Sequence, residues 1–200
     1  MSFPVRSTVI ASILGGCGPL VKVSAHWPLV EAALDAAAIY SPLCAVGAIA
    51  TISVETRRFS PTKERGGPTY LANVYENRRD LGNVNPGDGA KFQRRGFIPI
   101  IGRRDYEHFG MEIGKDLAGS PDLALDPAIA AAILAVYFKE RDIRTFADRQ
   151  NWEMVRRRVN AAMTGWLRFI DVVAKLVSAL KNSPPSTAGT SQEAIEELNQ

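Results

Sequence analysis

Apolar side chains in "HWPLVEAALDAAAI", residues 26–39, recur every three to four positions, the period of an amphipathic helix, with Pro28 in a helix-opening place. Ser41 and Pro42 then supply an N-cap and a first-turn proline for a second helix that runs through Val54. That segment, "SPLCAVGAIATISV", is apolar on nearly every face, so it is expected at the centre of the core, and it delivers the carboxyl group of Glu55 at its end. Helical spacing returns in "DPAIAAAILAVYFKER", where Asp126 caps and Pro127 opens, and continues through "NWEMVRRRVNAAM" and "GWLRFIDVVAKLVSALK". Between these two helical parts, from Thr56 to Arg104, the period vanishes and turn formers accumulate, as in "SPTKERGGPTY" and "DLGNVNPGDGA". A loop region of that length is uncommon in a compact domain unless it carries function, so the candidate site is sought there. The chain divides into one mainly α domain, residues 1–181, and a Pro-, Ser- and Thr-rich tail, residues 182–200, expected to be disordered.

Composition adds constraints. With 200 residues, 46% of them hydrophobic, the chain can bury a core without a disulfide framework, and Cys17 and Cys44 sit in apolar helical contexts where a thiol serves as a small hydrophobe. No run of 18 consecutive apolar residues occurs, which argues against a membrane-inserted helix. Only His26 and His108 are present, so histidine-rich metal sites and Ser-His or Cys-His nucleophiles are hard to assemble. No metal and no cofactor are expected, and the chemistry must rest on carboxylates.

The net charge of +3 is mild but uneven, with Arg57-Arg58, Arg78-Arg79, Arg94-Arg95, Arg103-Arg104 and Arg156-Arg157-Arg158 in clusters. Such clusters suit a polyanionic partner, although no nucleic-acid motif accompanies them. Near the start, "STVIASILGGC" loosely resembles a lipoprotein cleavage box; its alternative reading is a first amphipathic helix of the domain.

Glu55 lies at the C-terminal end of an apolar helix, where desolvation and the helix terminus both disfavour ionisation, as suits a general acid, while Arg57 and Arg58 pull the other way. Glu76, in "VYENRRDLGN", has Tyr75, Asn77, Arg78 and Arg79 around it, a setting that favours the ionised form a general base needs. Two carboxyl groups in contrasting environments are the pattern of acid and base roles in glycoside hydrolysis. Glu64 and Glu107 are also available.

Two motifs carry a resemblance. "ET-x-x-F-x-P-x-x-E" (Glu55, Thr56, Phe59, Pro61, Glu64) and "YENRRDLGNVNPGDGAKFQRRGFIPIIGRRDYEHFG" from Tyr75 to Gly110 resemble glycoside hydrolase family 19, and within it the bacteriophage endolysin branch. The similarity spans about residues 8 to 180. It implies a mainly α, two-lobed lysozyme-like fold whose long loop-rich segment lines a sugar groove. It further implies Glu55 as general acid and Glu76 as general base of an inverting reaction, with carboxyl groups roughly 6.5–9.5 Å apart. Arg95, Tyr106, Asn160 and Tyr75 are the implied substrate contacts.

The chain departs from that pattern at Val54, where the family has His, at Pro99 and Ile101, where it has Gln and Ser/Thr, and in "NAAMTG", where it has "NGGLNG". An isoleucine cannot hydrogen-bond to a water, and losing one such positioning contact costs on the order of tenfold to a thousandfold in rate. The resemblance implies a muralytic enzyme that acts as a monomer on the β-1,4 bonds of bacterial peptidoglycan, held in the host cytoplasm until release to the wall. A chitinase of the same family, or a catalytically weakened relative that binds the cell wall or is associated with the virion, is the alternative.

Overall fold

The computed structural model describes residues 3–182. A short helix, α1 (Ser7–Leu14), and a long one, α2 (Leu20–Ala36), lead in, followed by α3 (Pro42–Glu55). The middle of the chain holds β1 (Thr62–Lys63), α4 (Pro68–Tyr75), α5 (Asp88–Lys91), β2 (Arg95–Gly96) and α6 (Gly102–Glu112). Then come α7 (Pro127–Glu140), α8 (Ile143–Asp148), α9 (Trp152–Val159) and α10 (Trp166–Lys181).

Helix α3 is the axis of the fold. Ser41 Oγ accepts from the amide of Cys44 at 2.9 Å and Pro42 opens the first turn, as the sequence predicts. Every residue from Cys44 to Ser53 is buried, because α10, α8, α9 and α2 pack around the helix. Asp126 caps α7 as expected, its Oδ1 accepting from the amides of Ala128 and Ile129 at 2.9 and 3.0 Å.

Pro28 does not open its helix. Helix α2 begins at Leu20 and carries Pro28 in its interior. An interior proline costs about 3 kcal/mol, but Val23, Trp27, Val30 and Leu34 form a buried stripe at spacings of four, three and four that packs along α7 and α1. Tertiary burial overrides the local breaker.

The segment 56–104 is also more ordered than its turn formers suggest. Strands β1 and β2 pair antiparallel, Thr62 opposite Gly96 and Lys63 opposite Arg95, and α4 packs on α5. These elements are two to eight residues long, too short to print a period on the sequence.

The apolar stretch near the start is α1, packed against α2 and α10, with Phe3, Val5, Ile10 and Leu14 in the core. Within α1 itself the buried residues are Ile10 and Leu14, four positions apart on one face, the pattern of an amphipathic helix. Cys17 and Cys44 are both free thiols. No single described helix is long and apolar enough to cross a membrane. The tail beyond residue 182 lies outside the described residues.

Candidate active site

Where α3 ends, two adjoining cavities of about 420 and about 400 Å³ open beside the β1–β2 ribbon. Both are lined by Glu55, Thr62, Lys63 and Glu64, so they are two parts of one cleft. Val54, Arg94, Pro99, Arg156, Asn160 and Thr164 complete the first part; Arg57 and Arg65 complete the second.

Glu55 is positioned from two sides. It is the last residue of the buried helix α3, and its Oε1 accepts from Arg156 Nη1 of α9 at 2.7 Å. Arg156 is wholly buried, with its other terminal nitrogen donating to the carbonyl of Thr164. The cation that reaches Glu55 is therefore Arg156, a residue 101 positions away, whereas Arg57 and Arg58 are exposed. No donor to Oε2 occurs among the described residues, which leaves that oxygen available to a ligand.

Glu64, at the end of β1, is the second carboxyl group of the cleft. Its backbone amide donates to the carbonyl of Arg94, which fixes the strand, and its side chain is gripped by Tyr75, whose hydroxyl lies 2.9 Å from both carboxylate oxygens. Tyr70 adds a longer contact at 3.4 Å. Burial first, then the hydrogen bond to Glu64, pushes the Tyr75 phenol up to about 12, so it remains a donor throughout the physiological range.

Glu76 does not line the cleft. It ends α4, and both of its oxygens turn to the start of α5, Oε1 accepting from the amide of Gly87 at 2.6 Å and Oε2 from the amide of Gly89 at 2.8 Å. Its role is to clamp a loop. A side chain at position 89 would lie 2.7 Å from the Glu76 amide nitrogen and 2.8 Å from Oε2, so the clamp requires glycine there.

Much of the long motif in the same segment is scaffold. Asp88 is buried and accepts from the amides of Val84 and Asn85 and from Arg103 at 2.5 and 3.0 Å. The Arg103 hydrogen bond holds the Asp88 carboxyl below the usual carboxylate range. Asn83, buried too, donates to the carbonyl of Tyr75 and accepts from the amide of Arg103, both at 2.8 Å.

Of the implied substrate contacts, only Asn160 lines the cleft, beside Thr164. Tyr75 is buried and reaches the cleft through Glu64. Arg95 and Tyr106 are turned inward. Arg95 donates to the carbonyls of Lys91 and Gln93, to Asp122 at 2.6 Å and to the Tyr106 hydroxyl at 2.9 Å. Tyr106 is fully buried, donates to Gln93 at 2.6 Å, and has its phenol pushed up to about 12 by burial. Neither residue lines the cleft beside Glu55, and most of their polar atoms bond to the protein; Arg95 instead borders a separate cavity of about 610 Å³ together with Ser120 and Asp122.

Pro99 does line the cleft, whereas Ile101 caps α6, its amide donating to Asp105 at 3.2 Å. His26 binds the carbonyl of Phe59 and His108 pairs with Glu140, both away from the cleft. Among the described residues no group of three or more His, Cys, Asp or Glu side chains is placed to hold a metal ion. The arrangement offers a proton donor, a second carboxylate and a surrounding set of cations. The sequence offers Glu64 only as one further available carboxyl group and does not point to Arg156. Glu64 was visible as the last letter of the "ET-x-x-F-x-P-x-x-E" motif; Arg156 carried no local signal, since its partner is distant in sequence.

No family model matches the chain. It is 34% identical over 119 residues to a glycosyl hydrolase family 19 domain-containing protein of Haemophilus influenzae, a match covering 56% of this chain and 53% of that protein. The chain thus spans about half the length of this curated relative. Among solved structures, chitinase C from Streptomyces griseus superposes with a TM-score of 0.65 at 16% identity, covering 90% of this chain and 78% of the chitinase. A mutant of chitinase C gives a TM-score of 0.68 with the same identity and coverage. These structures share the chain's mainly α, lysozyme-like fold, and the curated relative carries the family 19 description that the motifs resemble.

Proposed function

We propose that the chain is a glycosidase of the family 19 type, a reading supported by its similarity to a family 19 domain-containing protein and by its fold, with Glu55 as general acid and Glu64, rather than Glu76, as general base. The observation that carries this assignment is that Glu55 and Glu64 line the same two cavities while Glu76 lines neither.

A glycosidic oxygen lying over the cleft would take its proton from Glu55 Oε2 as the bond to the anomeric carbon breaks. The Arg156 contact fixes Oε1 and so selects the free oxygen as the proton carrier. Glu64 would then take a proton from a water that attacks the anomeric carbon from the opposite face, giving inversion. A general base must be held at hydrogen-bond reach of its water, and the rigid Tyr75 donor supplies that positioning. This pairing also bypasses Ile101. With the base on β1 instead of α4, the missing hydroxyl at position 101 is not required for the water's placement.

The substrate we favour is the β-1,4-linked glycan of bacterial peptidoglycan, as in phage-type endolysins, on the strength of the motif from Tyr75 to Gly110. Chitin is the second reading, favoured by the fold match to chitinase C. Purified peptidoglycan digested with the protein and analysed by mass spectrometry identifies the bond cut, and NMR of early products reads the anomer. Fragments with a new reducing amino sugar, released first as the α-anomer, support the reading. Binding to the wall without release would replace it with a glycan-binding role.

A further inference from the structure

The cleft carries more positive charge than its two carboxyl groups require. Arg156 is matched by Glu55, and Lys63 by Asp122 at 3.0 Å. Arg57, Arg65 and Arg94 also line the cleft, all three side chains are exposed, and none has a carboxylate partner among the described residues. Arg57 and Arg65 flank the part of the cleft beyond Glu55 and Glu64, while Arg94 sits on the other side beside Pro99.

Unmatched guanidinium groups concentrated beside a site raise the local potential and favour ligands that carry anions, most of all those with carboxylates that two or more arginines can fork. A glycan of N-acetylglucosamine alone is neutral and offers these arginines no anion to pair with. We propose that Arg57 and Arg65, which line the same cavity, form a carboxylate-recognition subsite, with Arg94 adding positive charge from the other side, that makes the cleft selective for an acid-bearing glycan over a neutral one. The proposal rests on the glycosidase reading and sharpens it: the carboxylate would come either from an acidic sugar in the strand or from a peptide attached to it.

Three soluble probes separate these cases: a peptide-free tetrasaccharide of alternating N-acetylglucosamine and N-acetylmuramic acid, the same strand bearing stem peptides, and N-acetylglucosamine tetramer. The full chain and the Arg57→Gln/Arg65→Gln variant are compared by kcat/KM and, independently, by Kd on a Glu64→Gln background. The ratio of acidic to neutral probe should fall at least tenfold in the double variant, mostly through KM and Kd, and the wild-type preference should weaken as salt rises from 20 to 500 mM. Loss on the peptide-free strand identifies the sugar carboxylate; loss only on the peptide-bearing strand identifies the stem. An unaltered ratio, or an equal loss on all three probes, overturns the proposal. If no probe is cleaved by the wild type, the glycosidase reading fails, and the Kd ratio still decides the subsite.

Discussion

Arg156 and Glu55, 101 residues apart in sequence, meet at 2.7 Å with the guanidinium wholly buried and the carboxylate 11% exposed. This pair joins α9 to the end of α3 and is at once a structural and a functional contact. A buried ion left without its partner is costlier than the pair's absence altogether.

Replacing Glu55 should therefore cost more than activity. Glu55→Gln is expected to lower kcat by at least about a hundredfold through loss of the proton donor, and also to destabilise the fold by about 2 kcal/mol, because Arg156 loses its counterion. Calorimetry alongside the assay checks both, and an unchanged Tm would show that Arg156 finds another partner.

The Asp88–Arg103 pair predicts a pH dependence. The Asp88 carboxyl is depressed in the folded protein, first by the Arg103 hydrogen bond, so its stabilisation is present above the unfolded value and lost as pH falls through the folded one. Asp88→Asn is expected to destabilise by about 3 kcal/mol at pH 7. That gap should begin to close below about pH 4, the range of an unfolded aspartate, and continue closing at lower pH. Urea titrations at pH 7, 4 and 2.5 test this; a gap that widens in acid would contradict it.

Gly89→Ala should loosen the loop clamp, since the added methyl would crowd the Glu76 amide and carboxylate and the Leu71 carbonyl at 2.7 to 3.0 Å. A loss of about 2 kcal/mol is expected from overpacking against backbone. A stability equal to wild type would mean that the α4–α5 junction yields freely.

The N-terminal helix should be indispensable. Leu14→Ala removes a side chain buried between α1 and its neighbours and is expected to cost about 3 kcal/mol. Denaturant unfolding measures it; a change below about 0.5 kcal/mol, the size of a surface substitution, would show that α1 is peripheral.

The long helices and their caps were legible because capping and periodicity are local: Ser41, Pro42, Asp126 and Pro127 each announce a start within three residues. Pro28 misled for the same reason, as its local signal lost to the Val23–Leu34 stripe. The candidate site was legible as a region and as the carboxyl group of Glu55. Which further carboxyl group shares the cleft was not, because Glu64 stood as one of several available and the sequence around Glu76 does not reveal that the amides of Gly87 and Gly89 bind it. For Arg95 and Tyr106, likewise, the motif does not reveal that their side chains bond to Asp122, to Gln93 and to each other.

The most direct test compares Glu64→Gln with Glu76→Gln in one assay of reducing-end release from peptidoglycan, with folding of each verified by circular dichroism. The account predicts that Glu64→Gln loses at least about a thousandfold in kcat, as removal of a catalytic base alongside its positioned water should. Glu76→Gln should keep kcat within about tenfold while lowering Tm, as loss of a backbone clamp does. An active Glu64→Gln beside an inactive but folded Glu76→Gln would contradict it.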